Sequence, residues 1–257
     1  MRGDFDLCVL LLEEYKARVM SKDKFKRIPL HHAIINGNAR VASLLLQYGT
    51  DWQFPDSSGN TALHYAAGFG QLQCMRLLLE HGADINAHNM WKITPINIAM
   101  LCNHVGAVKK LLDHEGVDVN GKDDKGRTLL ALSVADLSDS SMVEFAAYLL
   151  SKGADPNIPD ILGNTILHHL AAFNPNLVNR PYNVTKQEHV ANMQQEKDNH
   201  MAMLMLILDS GKAELNALNN DKKTPFVVAL ATDNIKVLEK LSVNVMISKS
   251  PELLFNF

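Results

Sequence analysis

Histidine is the side chain that most readily exchanges a proton near neutral pH. His31, His64 and His168 each close a similar tetrapeptide: Ile28-Pro29-Leu30-His31, Thr61-Ala62-Leu63-His64 and Thr165-Ile166-Leu167-His168. Each has the chemistry of a general base, and the adjoining His32 and His169 bring a zinc site to mind. The pattern argues against both. A catalytic base is a single positioned group, whereas this position recurs along the chain and is taken elsewhere by Asn97, Ala131 and Val227. No Cys-x-x-Cys or His-Glu-x-x-His spacing accompanies the histidine pairs. Glycine-rich phosphate loops of the Gly-x-Gly-x-x-Gly or Walker type are absent as well. The expectation is no catalytic residue, no metal and no cofactor; the protein is not predicted to be an enzyme.

Composition narrows the class further. The chain has 257 residues, 47% of them hydrophobic, with 25 Lys and Arg against 28 Asp and Glu, for a net charge of -3. That is ample for a buried core and gives no general field for phosphate backbones or anionic lipid, so nucleic acid is not expected. Only three cysteines occur, an odd number without close pairing, which points to a reducing, intracellular and cytoplasmic setting, with the nucleus and cytoskeleton left open. The apolar runs Leu7–Leu12 and Met201–Leu208 are short of the ~20 residues of a membrane span, and no signal peptide is read. Asn183-Val184-Thr185 fits a glycosylation sequon, read here as chance.

The elements that position these histidines repeat. Gly59 to Ala67 (Gly-Asn-Thr-Ala-Leu-His-Tyr-Ala-Ala) is followed by Leu77-Leu78-Leu79 and then Gly82-Ala83-Asp84-Ile85-Asn86, and a shift of 33 positions finds the same grammar on either side. Later copies open at Thr128, Thr165 and Thr224, and close at Gly116-Val117-Asp118-Val119-Asn120 and Gly153-Ala154-Asp155-Pro156-Asn157. Thr61, Thr94, Thr128, Thr165 and Thr224 are predicted to start helices by accepting from orphan N–H groups. Pro29, Pro95 and Pro225 occupy a first helical position, where a missing N–H costs nothing. Ala66, Ala67, Ala171 and Ala172 permit close helix approach, Leu77 to Leu79 fill a core, and Gly82 or Gly153 ends the second helix at positive φ.

This grammar resembles the ankyrin repeat, Gly-x-Thr-Pro-Leu-His-x-Ala-Ala, then Leu-Leu, then Gly-Ala-Asp-x-Asn, over roughly residues 5 to 245. The resemblance implies an all-α solenoid of stacked helix pairs with short β-turn or hairpin tips, spanning 1–257 as a single domain. It comprises a half repeat at 5–22 and repeats at about 23–55, 56–88, 89–122, 123–159, 160–218 and 219–245, with an insertion at 174–200 and a C-terminal extension at 246–257. The repeat histidine is implied to bond to the repeat threonine and nearby backbone. Asn86, Asn120 and Asn157 fall where asparagine hydroxylases modify this family. Both ends read as parts of something longer: residues 7–16 look like a second helix without its first, and Ser250-Pro251-Glu252-Leu253-Leu254 like the opening of another unit.

Two units depart from the common length. Thr128 and Gly153 are 25 residues apart against 21 from Thr61 to Gly82, and Thr165 and Gly211 are 46 apart. Thr185 and Glu188 read as a capping box starting a second helix of about 23 residues, ~35 Å long, with projecting outer turns.

In such an array the implied binding face is the concave one, formed by tips and first helices. By register the tips hold Lys24, Phe25 and Arg27; Ser57, Ser58 and Asn60; Met90, Trp91 and Ile93; Asp124, Lys125 and Arg127; Ile161, Leu162 and Asn164; Asn220, Asp221 and Lys223. Met90, Trp91, Ile161 and Leu162 are unusually apolar for turns, and Phe69 and Phe173 follow the corresponding first helices. Candidate partner-binding residues are therefore Met90, Trp91, Ile93, Phe69, Ile161, Leu162, Phe173, Arg127 and Asp124. Packing against neighbouring tips is the alternative for the apolar ones. The cluster Lys16, Arg18, Lys22, Lys24, Lys26 and Arg27 reads as a solvated face, diluted by Glu13, Glu14 and Asp23, or as a contact for an acidic peptide. The expected function is a non-catalytic scaffold for another protein or peptide. Alternatives are the targeting arm of a larger enzyme, such as a kinase, ubiquitin ligase, acyltransferase or poly-ADP-ribose polymerase, or a fixed subunit of a large assembly.

Overall fold

The threonine, proline and glycine punctuation delimits the helices. The computed structural model describes residues 5–134, 137, 140–173 and 186–249, and no β-strand occurs among them. The chain divides into two compact units, residues 1–118 and 119–257. The proposed opening of a further repeat at Ser250, and the sequon at Asn183, lie outside the described residues.

In the first unit a lone helix α1 (Phe5–Glu13) precedes three helix pairs: α2 (Pro29–Ile35) with α3 (Ala39–Gln47), α4 (Ala62–Gly68) with α5 (Leu72–Glu80), and α6 (Pro95–Leu101) with α7 (Val105–Leu112). First helices pack in one layer, α2 on α4 and α4 on α6. Second helices form the other, α1 on α3, α3 on α5 and α5 on α7. The second unit pairs α8 (Leu129–Leu132) with α9 (Ser141–Ser151), α10 (Ile166–Ala172) with α11 (Lys186–Asp209), and α12 (Pro225–Ala231) with α13 (Ile235–Lys249), layered in the same way. No helix among the described residues is long and apolar enough to cross a membrane.

The small residues do what their size allows. Ala66, Ala67 and Ala171 are fully buried between first helices, while Ala172 is exposed. Of the three consecutive leucines, Leu78 is fully buried and Leu77 and Leu79 are half-buried, because three successive positions cannot share one helical face.

All five threonines are N-caps, by two different routes. Thr128 and Thr224 accept from the N–H of Ala131 at 3.2 Å and of Val227 at 3.3 Å, as expected. At Thr61, Thr94 and Thr165 the third helical residue carries an acceptor, and the hydroxyl turns to it: His64 Nδ1, Asn97 Oδ1 or His168 Nδ1. That same atom receives the threonine backbone N–H at 3.0–3.2 Å.

Of the lengthened units, the one opening at Thr128 has a first helix of only four residues. The Ser133 hydroxyl donates back to the Leu130 carbonyl at 2.7 Å, a bond that competes with helix continuation. In the other, α11 runs 24 residues, close to the expected length.

Each tip folds on a residue five positions before the helix cap. At Gly59 the backbone has φ +82°, and a Cβ there would stand 3.0 Å from the Met90 nitrogen of the next tip. Gly82 has φ +79° with nothing near its missing Cβ. Gly82→Ala therefore reports backbone strain alone, a loss of about 1 kcal/mol, and Gly59→Ala adds a backbone clash, for a loss of about 2–3 kcal/mol. Urea unfolding of the two variants checks this; equal losses would show that tips do not constrain one another.

Candidate functional site

The tips are built from backbone bonds and one carboxylate or carboxamide each. Asp56 donates its N–H to the Asn60 carbonyl, closing the turn, and Asp56 Oδ1 accepts from the N–H groups of Ser58 and Asn60 at 2.7 and 2.8 Å. Asn89 does the same for Trp91 and Ile93, Asp123 for Lys125 and Arg127, and Asp160 for Leu162 and Asn164. Asp23 and Asn219 complete the series. Tips are then tied to neighbours: Ser57 N donates to Phe25 O and Met90 N to Ser58 O in the first unit, Ile161 N to Lys125 O and Asn220 N to Leu162 O in the second. None of these six Asp and Asn residues was assigned this role from the sequence, where Asp23 figured only as a charge in the basic cluster, although their recurrence five residues before each helix cap was a visible signal.

This scaffold holds the apolar tips in the open. Met90 is 71% exposed, Trp91 48%, Ile161 63% and Leu162 60%, so packing between tips does not bury them. Ile93 is half-buried, and its carbonyl accepts from His64 Nε2 at 3.0 Å. Phe69 is exposed with its ring stacked on Tyr65, centroids 6.5 Å apart. Phe173 is half-buried against His200, centroids 4.4 Å apart. Arg127 grips the Asp123 carboxylate through Nε at 2.9 Å and Nη2 at 2.7 Å, which gives it a bracing role in its own tip, while Asp124 is exposed. In the basic cluster, Arg27 is likewise bound to Asp23, and Lys22 lies over the Phe54 ring at 4.5 Å.

The repeat histidines are wired between units. His64 and His168 accept on Nδ1 from their own cap and reach with Nε2 to Ile93 O and Lys223 O of the next repeat, both at 3.0 Å. This requires the neutral ring with its proton on Nε2. His31 accepts from Ile28 N at 3.1 Å; its Nε2 is directed at the Phe54 carbonyl without reaching hydrogen-bond geometry. Asn86, Asn120 and Asn157 also join repeats. Asn86 donates to Gly116 O and accepts from Asp118 N, and the other two bond Gly153 with Asp155 and Lys212 with Glu214. Among the described residues no group of three His, Cys, Asp or Glu side chains is placed to hold a metal ion.

Two layers of short helices closed by hydrogen-bonded tips define a repeat-array protein, whose exposed surface is set by residues the array does not need. A family model for ankyrin repeats (three copies) matches residues 1–89 and again 86–160, and the chain belongs to the ankyrin-repeat family. It is 34% identical over 255 residues to the poly [ADP-ribose] polymerase tankyrase of Caenorhabditis elegans, a match spanning 96% of this chain and 11% of that protein. It is 32% identical over 264 residues to an ankyrin repeat protein of fowlpox virus (strain NVSL), covering 93% of this chain and 53% of the viral one. The chain thus spans about a tenth of the first relative and about half of the second. Among solved structures, the ankyrin repeat domain of Bcl-3 superposes with a TM-score of 0.71 at 24% identity, covering 93% and 94% of the two chains. An ankyrin repeat domain from Acinetobacter baumannii AYE gives 0.67 at 24% identity, covering 84% and 97%.

Burial pushes the His31 imidazole down to about 4, with His32 and Arg27 acting in the same direction against Asp56, and burial lowers His64 too. A folded pKa below the ordinary 6.5 means the unfolded chain binds the proton more tightly. The contribution is complete above about pH 6.5 and is lost as pH falls toward 4. For His31 it is on the order of 3 kcal/mol. Asn97 shows that a carboxamide can replace the imidazole at the cap. His31→Asn with His64→Asn should therefore shrink the fall in urea midpoint between pH 7.5 and 5. An unchanged fall would assign acid sensitivity to other groups.

Proposed function

We propose that the chain is a non-catalytic binding module that captures a partner protein on the concave face formed by its tips and first helices. The observation that carries this is the exposure of Met90, Trp91, Ile161 and Leu162 on turns whose backbone N–H groups are bonded. A turn tip needs polar or small residues to meet water; large apolar groups there serve no folding role and match the composition of interface centres. Phe69 adds an exposed ring beside the tips of the first unit, and Asp124 a charge at the rim in the second. Three free cysteines accord with an intracellular setting.

The match to tankyrase over nearly the whole chain supports a second reading, in which this array is the recognition arm of a longer enzyme. Immunoblotting native extract with an antibody to the array separates the two. A band well above 28.5 kDa supports the arm, and a band at 28.5 kDa overturns it.

The binding face is tested by affinity capture from native extract with Met90→Ser/Trp91→Ser against the wild type. Circular dichroism and melting temperature should stay nearly unchanged, because both side chains are exposed, while specific partners are lost by tenfold or more. Equal capture by both proteins would remove the first unit's tips from the binding site.

A further inference from the structure

In ordinary pairs the second helix is capped 11 residues before the closing glycine: Asn38 caps α3 ahead of Gly49, and Gln71 caps α5 ahead of Gly82. His200 holds that place ahead of Gly211, yet α11 continues back to Lys186, 14 residues and about 21 Å further. The first helix ends differently too. Phe173 caps α10 in an extended conformation, φ -64° and ψ 121°, instead of entering a tight turn. His200, no longer a cap, is buried and donates from Nε2 to the Leu170 carbonyl at 2.8 Å, and the Phe173 ring lies flat against it. Asn234 of the following pair donates to the Phe173 carbonyl at 2.9 Å.

The result is a notch of about 150 Å³ at the junction of α10, α11 and α13, lined by Phe173, Lys197, His200, Met201, Asn234 and Lys236. Among the described residues its lining holds two lysines and no carboxylate. Neither lysine has an ion-pair partner among the described residues: Asp198 is bonded to Gln194, and Glu196 and Asp233 do not line the notch. Like charges set around one small concavity are unfavourable until an anion joins them. The first turn of α13, which begins at Ile235, adds the positive end of its dipole.

We infer that this notch is a recognition pocket for one acidic side chain, an aspartate or glutamate, of a partner polypeptide. The space admits a single side chain. Phe173 and Met201 supply an apolar wall for its aliphatic stem, and Lys197 and Lys236 supply ammonium groups for its head. This site is separate from the tips and does not depend on them.

The test is fluorescence anisotropy with a fluorescein-labelled (Glu-Leu)4 peptide, its (Gln-Leu)4 counterpart and (Lys-Leu)4. Wild-type protein should bind the glutamate peptide about tenfold more tightly than the glutamine peptide, with the preference fading in 0.5 M salt. Lys197→Gln/Lys236→Gln should abolish that preference without changing the melting temperature, since neither side chain supports the core. Lys24→Gln/Lys26→Gln should leave it intact. Lys197→Glu/Lys236→Glu should transfer the preference to (Lys-Leu)4. No preference in the wild type, or a preference that survives Lys197→Gln/Lys236→Gln, overturns the assignment. Binding of a (phosphoserine-Leu)4 probe in place of the glutamate peptide overturns the carboxylate and puts phosphate there. These substitutions leave Met90 and Trp91 untouched, so failure of the notch and failure of the tips are read separately.

Discussion

A helix of seven residues cannot satisfy its own backbone. Its first four N–H groups and last four carbonyls have no partner within the helix, and in so short a segment that is most of them. The first helices α2, α4, α6, α10 and α12 are all of this length. Much else in the two units follows from this deficit. Proline at the first position removes a donor that would otherwise go unpaired. Threonine with histidine or asparagine three residues on covers more, and the imidazole Nε2 carries the bonding across to the next repeat. Because some of the partners belong to the neighbour, a repeat is incomplete alone, and stability resides in interfaces between successive repeats.

Much of this could be read in the residues. Threonine, proline and closing glycine mark helix ends because each answers a local backbone demand, so the helix pairs stood out in sequence. The length of α11 agrees with the expected one, while Thr185, the cap of the box read with Glu188, lies outside the described residues. The direction of the threonine hydroxyl was not, since it depends on whether the residue three places on offers a better acceptor. Nor was the engagement of Arg127 with Asp123: the sequence shows a basic residue at a tip, and only the folded turn brings it over the carboxylate. The tip-forming Asp and Asn residues were periodic and visible, but their work is done by backbone bonds that no side-chain pattern advertises.

The candidate surfaces differ in the same way. Exposure of Met90, Trp91, Ile161 and Leu162 followed from register, because tip positions are fixed by a local motif. The notch around His200 joins residues from three helices, with Phe173 and Lys236 63 positions apart in the chain. No motif announces it. It exists because α11 overruns its usual start, which turns a capping position into a buried one beside the start of α13.

The tips illustrate how such a protein separates stability from recognition. In the apolar tips at Asn89 and Asp160, the side chains that hold the turn point inward to backbone N–H groups, and the residues between them are attached only through main-chain bonds. Main-chain bonding is indifferent to side-chain identity, so a tip can carry Ser57 and Ser58 in one repeat and Met90 and Trp91 in the next without altering the turn. Substitution at those positions therefore changes what the surface meets and leaves what the array is made of. The exceptions are the tips where Arg127 reaches back to Asp123 and Arg27 to Asp23: there a side chain has been drawn into holding the turn, and those positions have lost the freedom their neighbours retain.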